Sequence, residues 1–347
     1  MIIIDGSVGE GGGQILRTAL SLSLCTGQAF RMVKIRAGRS KPGLMRQHLT
    51  AVQAAAQIGG ADISAVGIGA TELQFSPGKV RAGDYSFSVG TAGSATLVFE
   101  TVLPALITAS GGKDGNVSNV VCQGGTHNPY APPYDFLERA FAPQLQRLGV
   151  GLDLELIRTG YYPAGGGEFR ARIAPPSGKL AALSLMERGA LVSRSARVDI
   201  ACLASHIGVR EMQMLQSKLN WPAESFQIRE VTGTLCPGNT VLIEEQYENV
   251  TELVTGFGER GTAAEKVAEM AVDRLRRYSA AASDGAVVGD YLTDQLLVPM
   301  ALAGRGEFLA VRPSRHSITN KDTIRRFLDV DITFTERTPL VWECRIG

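Results

Sequence analysis

GEGGGQILR (Gly9–Arg17) and IRAGRSKPGLMRQH (Ile35–His48) are the two stretches on which the reading of this chain turns. Each sits where a strand gives way to a helix. Glycine lets backbone approach a ligand closely and turn its N–H groups towards it. A helix starting beside such a loop adds its positive end, and guanidinium groups grip phosphate bidentately. The first sixty residues hold seven Lys/Arg against two Asp/Glu, and the whole chain is only +1, so positive charge is concentrated here. The pattern reads as a phosphate site. GEGGGQ alone is weak support, because it is neither GxGxxG nor a Walker loop.

The chain has 347 residues, 44% hydrophobic and 20% charged, the balance of a globular protein of two domains or of one large domain with an insert. Near-neutral net charge excludes a generic polyanion coat, so any nucleic acid must be held locally. Five cysteines without CxxC spacing argue against structural zinc or a disulfide framework and fit a reducing cytoplasm. No apolar run reaches eighteen residues, so no membrane span is expected.

Working outward, the periodicity predicts a strand over Met1–Asp5, a helix over Gln14–Cys25 ended by Gly27, a strand over Phe30–Arg36, and a helix from Pro42 to Ile58. The pattern returns with strands at Tyr85–Val89 and Val117–Cys122 and helices at Thr96–Ala109 and Asp135–Leu148. A third copy has a helix capped by Asp290 and running to Ala303, a strand at Phe308–Val311, the loop RPSRHSITN, and a helix over Lys321–Leu328. FETVLPALITAS (Phe99–Ser110) and DQLLVPMALAG (Asp294–Gly304) both carry an interior proline, four residues after Glu100 and Gln295. A proline there kinks a helix and frees a carbonyl; its recurrence points to duplication. The fold class expected is α/β (α+β), with three βαβα-type repeats. The loops of Arg39, His127 and His316 would then be equivalent and could converge on a pseudo-threefold axis. Residues 186–281 do not fit the repeat and read as an inserted small α/β domain, leaving 1–185 with 282–347 as the large unit. Its last helix is expected from a Thr262–Glu265 capping box, with Val267, Met270, Ala271, Leu275 and Tyr278 inward.

Among single residues, Glu10 either holds a divalent metal bridging phosphates or pairs with a nearby arginine. The cations from Arg36 to His48, interleaved with Gly and Pro, favour anion binding over a solvated face. His316 is a candidate nucleophile, His127 a substrate-side or structural histidine, and His206 a structural one. DYLTDQ (Asp290–Gln295) puts Tyr291, Asp294 and Gln295 on one face, either to stack a base and bond a nucleotide or as a cap and polar patch.

GEGGGQILRTALSLS, IRAGRSKPGLMRQHLTAV, GTHNPYAPPYDF, YYPAGGGE, DYLTDQLLVPMALAG and the His316 loop together resemble the RNA 3′-terminal phosphate cyclases, over almost the whole chain and least in the insert. The resemblance implies three repeats like those of enolpyruvyl transferases and of the C-terminal domain of translation initiation factor three, plus the small inserted domain. It implies an ATP-dependent enzyme in which a histidine takes AMP, passes it to an RNA 3′-phosphate, and leaves the adjacent 2′-OH to close a 2′,3′-cyclic phosphate. ATP and a divalent metal, Mg²⁺ or Mn²⁺, are implied, with RNA bearing a 3′-phosphate as partner. Position by position, His316 matches the nucleophile and Tyr291, Leu292, Thr293, Asp294 and Gln295 the segment contacting ATP. Glu10 matches a residue near the metal; Arg17, Arg36, Arg39, Gln47 and His48 match polar positions for phosphates or the RNA end. Glu100 departs from the pattern, standing where family members carry a glutamine that contacts ATP; a carboxylate cannot donate a hydrogen bond unless protonated. Two other classes remain: a non-catalytic, cyclase-like ribosome-assembly protein and a phospho-metabolite transferase. Retention of label from α-labelled ATP separates the enzyme from both.

Overall fold

The computed structural model describes residues 1–109 and 116–347; Ser110, which ends the FETVLPALITAS stretch, lies outside them. The chain runs through β1 (Ile2–Asp5), α1 (Gln14–Thr26), β2 (Phe30–Val33), α2 (Arg46–Gly59), β3 (Asp62–Ile63) and β4 (Leu73–Ser76). β1 lies parallel to β2, β2 antiparallel to β4, and β4 antiparallel to β3. Next come β5 (Asp84–Ser88), α3 (Ala95–Leu106), β6 (Ser118–Gly124), α4 (Tyr134–Phe136), α5 (Ala142–Arg147), β7 (Gly151–Arg158) and β8 (Gly167–Ala174), with the same strand order and directions.

β9 (Leu183–Leu185) begins a third set, and the chain then departs. It forms β10 (Leu191–Ala201), α6 (Ser205–Leu219), β11 (Phe226–Glu230), β12 (Gly238–Tyr247), β13 (Thr251–Phe257) and α7 (Ala264–Ser283), a sheet in the order β11-β10-β12-β13. It returns through α8 (Asp290–Ala303), β14 (Gly306–Val311), α9 (Arg315–Ile324), β15 (Ile332–Glu336) and β16 (Val341–Ile346). β9 is parallel to β14, β14 antiparallel to β16, and β16 antiparallel to β15. Among the described residues, three of the four sheets therefore share one βαβαββ topology, which adds a closing strand pair to the βαβα pattern read from the sequence. The fourth sheet has its own apolar cluster around Val198, Ile243 and Leu275, whereas Leu242 and Leu253 on its other face join the main core.

Several local expectations give way to tertiary contacts. Lys34 and Arg36 adopt left-handed φ of 54° and 53°, ending the second strand at Val33 instead of Arg36. The following loop is tied by Gly43 N–H to Ile35 O (2.8 Å) and Leu44 N–H to Ala70 O (2.9 Å), so Pro42 stays outside the helix, which starts at Arg46. Asp290 is the first residue of α8 and Gly289 the cap. A π-helical turn at Leu137–Phe141 interrupts the helix expected over 135–148. Thr262 does not cap α7: Ala263 occupies that position, Glu265 pairs with Arg210, and Met270 is exposed. His316 lies in a helix and not in a loop, because the Ser314 side chain caps α9 at Ser317 N–H.

Candidate active site

The glycine loop is shaped by what fills the space a side chain would need. A Cβ on Gly12 would collide with Glu10 and Arg39, and one on Gly13 would overlap His48 Nε2 and lie 2.7 Å from Arg17 Nη1. These two glycines are required by close approach. Behind them, the buried Glu10 carboxylate accepts the first N–H of α1 from Gln14 (Oε1, 3.0 Å), an acidic group at a helix N-terminus. Its other oxygen pairs with Arg39.

The basic loop divides in use. Arg36 turns inward and donates to Lys41 O (2.8 Å) and Gly43 O (2.7 Å), holding the loop together instead of presenting a free fork. Lys41 and Arg46 are exposed. Gln47 reaches across to the cap of α3, its Oε1 accepting Ser94 N–H at 2.9 Å. His48 is buried and accepts Met45 N–H on Nδ1 (3.2 Å), which places its ring proton on Nε2, the atom facing Gly13. Burial pulls its pKa down to about 3, with Arg17, Arg36 and Arg39 adding to the effect. It is therefore a neutral donor at any working pH.

On the opposite side, Asp294 is buried within a chain of amides: Gln14 Nε2 donates to it at 3.1 Å and Asn320 Nδ2 at 3.0 Å, while Thr18 Oγ1 donates to Asn320 Oδ1 (2.8 Å). Burial raises its pKa against the pull of His316, Asn320 and Arg17. His316 is exposed in the first turn of α9. Two bonds hold that turn to the glycine loop, Arg315 Nη2 to Gly9 O (2.7 Å) and Glu10 N–H to Thr319 Oγ1 (3.1 Å). The imidazole thus stands near the buried Asp294, on a turn tied to Gly9 and Glu10, and open to solvent.

A model of the family described as RNA 3′-terminal phosphate cyclase matches residues 8–334. Among curated proteins, the "RNA 3′-terminal phosphate cyclase" of Koribacter versatilis (strain Ellin345) is 50% identical over 336 residues, covering 97% of this chain and 92% of that one. The protein of the same name from Ralstonia nicotianae is 50% identical over 332 residues, 96% of this chain and 93% of that one. That from Salmonella enteritidis PT4 is 46% identical over 330 residues, 95% and 94% respectively. The chain belongs to the RNA 3′-terminal phosphate cyclase family.

For this cyclase-family chain, the positions expected from the resemblance separate into those that meet and those that do not. Glu10, Arg17, Arg39, His48, Asp294 and His316 meet around the glycine loop. Leu292 is in the main core, and the buried Thr293 hydroxyl is spent on Gly289 O (2.8 Å). Tyr291 is turned towards Phe136, rings edge-on at 5.9 Å. Glu100 and Gln295 line a cavity of about 50 Å³ between α1, α3 and α8, each four residues before a helix proline that lines it too. His127 does not converge with Arg39 and His316. It is buried against Asp135 (2.8 Å), which also holds Arg197 (2.5 Å) of β10, so its loop is committed to the fourth sheet. Sequence reading gave no role to Gln14 or Asn320 and took Arg315 only as a cation beside His316, not as the tie to Gly9 O. Asn320 was legible as the fourth residue after His316, the helical spacing of neighbours, and Gln14 as the last residue of the GEGGGQ stretch.

Among the described residues no three His, Cys, Asp or Glu side chains cluster as metal ligands. Glu10 by itself suits a hard cation that takes most of its oxygens from substrate phosphates and water.

Proposed function

We propose that this chain is an ATP-dependent RNA 3′-terminal phosphate cyclase that works through a histidyl-AMP on His316. What supports this most is the solvent-open imidazole of His316, fixed by Arg315 and Thr319 to a glycine loop whose neighbours Arg17, Arg39 and His48 are all donors. A ring nitrogen of His316 attacks the α-phosphorus of ATP, a P–N bond forms, and pyrophosphate leaves. An RNA 3′-phosphate oxygen then attacks that phosphorus and breaks the P–N bond, giving RNA(3′)pp(5′)A. The adjacent 2′-OH attacks the RNA phosphorus, loses its proton and expels AMP, leaving the 2′,3′-cyclic phosphate. A phosphomonoester dianion has no good leaving group, and adenylylation supplies one. Arg17, Arg39 and the Nε2–H of His48 offset the charge gathered in each step. Glu10 would hold Mg²⁺ or Mn²⁺ against the phosphates, supplying further charge neutralisation. Tyr291, its ring partly exposed and backed edge-on by the buried Phe136, offers an aromatic surface for the adenine. Residues 1–185 with 282–347 form the catalytic unit in this reading, 186–281 the insert, and the protein works in the cytoplasm; no helix among the described residues is long and apolar enough to cross a membrane.

Incubation with α-labelled ATP and divalent metal tests the proposal. An acid-labile, alkali-stable protein label is expected and should vanish in His316→Ala; an unchanged label moves the nucleophile elsewhere. An RNA 3′-phosphate with a 2′-deoxy terminal sugar should stop at RNA(3′)pp(5′)A.

A further inference from the structure

Two carboxyl groups, Glu100 of α3 and Asp294 of α8, face one small cavity, with Arg17 of α1 as the cation between them. They are not equally provided for. Asp294 receives donors from Gln14 and Asn320. Glu100 Oε1 is enclosed and has no hydrogen-bond partner, so the bond that Gln295 makes to this carboxyl falls on Oε2. The remaining cavity wall near Glu100, Phe141 and Leu145, is apolar. When two carboxyls share a site, the one without donors keeps the proton. We propose that Glu100 works as a neutral carboxylic acid and so sets no charge of its own against Arg17, leaving that guanidinium for the phosphates of the nucleotide, and that ionisation of Glu100 weakens nucleotide binding.

Glu100 is thereby a positioning residue acting through Arg17. The proposal rests on the ATP-dependent reading above and explains how this chain accommodates a glutamate where the family resemblance has glutamine. A protonated carboxyl matches an amide in shape and carries no charge. Arg17 belongs to both surroundings. Its Nη1 faces Gly13 beside His48, its Nη2 donates to Gln14 (2.9 Å), and Glu100, Glu10 and Asp294 are the acids acting on it. Ionising Glu100 would place a further negative charge beside the same guanidinium. Burial pushes the Glu100 carboxyl up to about 8, Asp294 helping and Arg17 opposing. The proton is therefore held through neutrality and lost in mild alkali.

ATP–pyrophosphate exchange, measured from neutral pH into alkali with excess metal, reads the effect directly. In the wild-type protein KM for ATP should rise about tenfold per pH unit above about pH 8, while kcat changes less. In Glu100→Gln that rise in KM should be absent. Calorimetry of ATP binding to the wild-type protein in two buffers of different ionisation enthalpy gives a second readout needing no variant. Uptake of up to one proton is expected in alkali and none at neutral pH. Wild-type KM that is flat through alkaline pH, equal rises in both proteins, or binding without proton uptake overturns the assignment of Glu100. If His316 is still labelled in those experiments, the adenylylation reading survives; absence of ATP binding at every pH overturns both.

Discussion

His48 is the most sharply testable element of the site. Its ring is buried and its pKa pulled from 6.5 to about 3. In the unfolded chain the same imidazole takes a proton as pH falls through 6.5, whereas the folded protein refuses it until about pH 3. Protons thus favour the unfolded state across that interval, and the stability contributed by a neutral His48 is lost on acidification. Integrating the two titrations gives a loss of about 1.6 kcal/mol between pH 6.5 and about pH 5, approaching 1.4 kcal/mol per further unit. Total stability will not show this plainly. Glu100, Glu211 and Glu252 are raised to about 8, 7 and 8 by burial, and each contributes the opposite slope above its unfolded value of 4.5. The informative quantity is the difference between wild type and His48→Gln, measured by urea unfolding at several pH values with m-values compared. The difference should shrink by the stated amount as pH falls to about 5. Parallel curves for the two proteins would show that the imidazole is protonated in the fold, and the tautomer assigned from Met45 would fail with it.

Other consequences are simpler. Gly13→Ala has a permitted φ of −86° but drives a methyl into the His48 ring, so it should cost about 1–3 kcal/mol and weaken ATP binding; Gly178→Ala, with open space around it, serves as control, and equal behaviour of the two would remove the packing argument. Arg197→Ala strips partners from Asp135 and Asp199, side chains only 5% and 1% exposed, and should destabilise by roughly 3 kcal/mol in urea melts. A loss below about 1 kcal/mol would mean that Arg229 alone satisfies Asp199.

What was legible in the chain was whatever depends on neighbours in sequence. Gly27 ends α1 in the left-handed region with its N–H on Ser23 O, as its position suggested. The matched prolines, Pro104 and Pro299, marked helices that stand in equivalent places in their sheets and face one cavity. Short strands escaped: β3 has two residues and β9 three, too few for a period to register. Arg36 stood out by composition, whereas its Nη1 bonds to Lys41 O and Gly43 O, which brace its own loop, are visible only in the fold. The links from Gln14 to Asp294 and from Thr18 to Asn320 span 280 and 302 residues, so no local pattern announces them. Thr293, part of the DYLTDQ stretch, turns its hydroxyl back onto Gly289 O of the preceding helical turn, a bond that the sequence pattern does not announce.

The third sheet pairs β9 with β14 across more than a hundred intervening residues, because β10 through α7 are spliced into its first crossover. Closing so distant a ladder is slow, and during synthesis its second half leaves the ribosome last. Nascent chains ending before α8 carry the glycine loop without the bonds from Arg315 and Thr319 that tie it down, and with neither Asp294 nor His316 to meet it. On the proposed reading, reactivity towards a nucleotide would arrive only with the final stretch of translation.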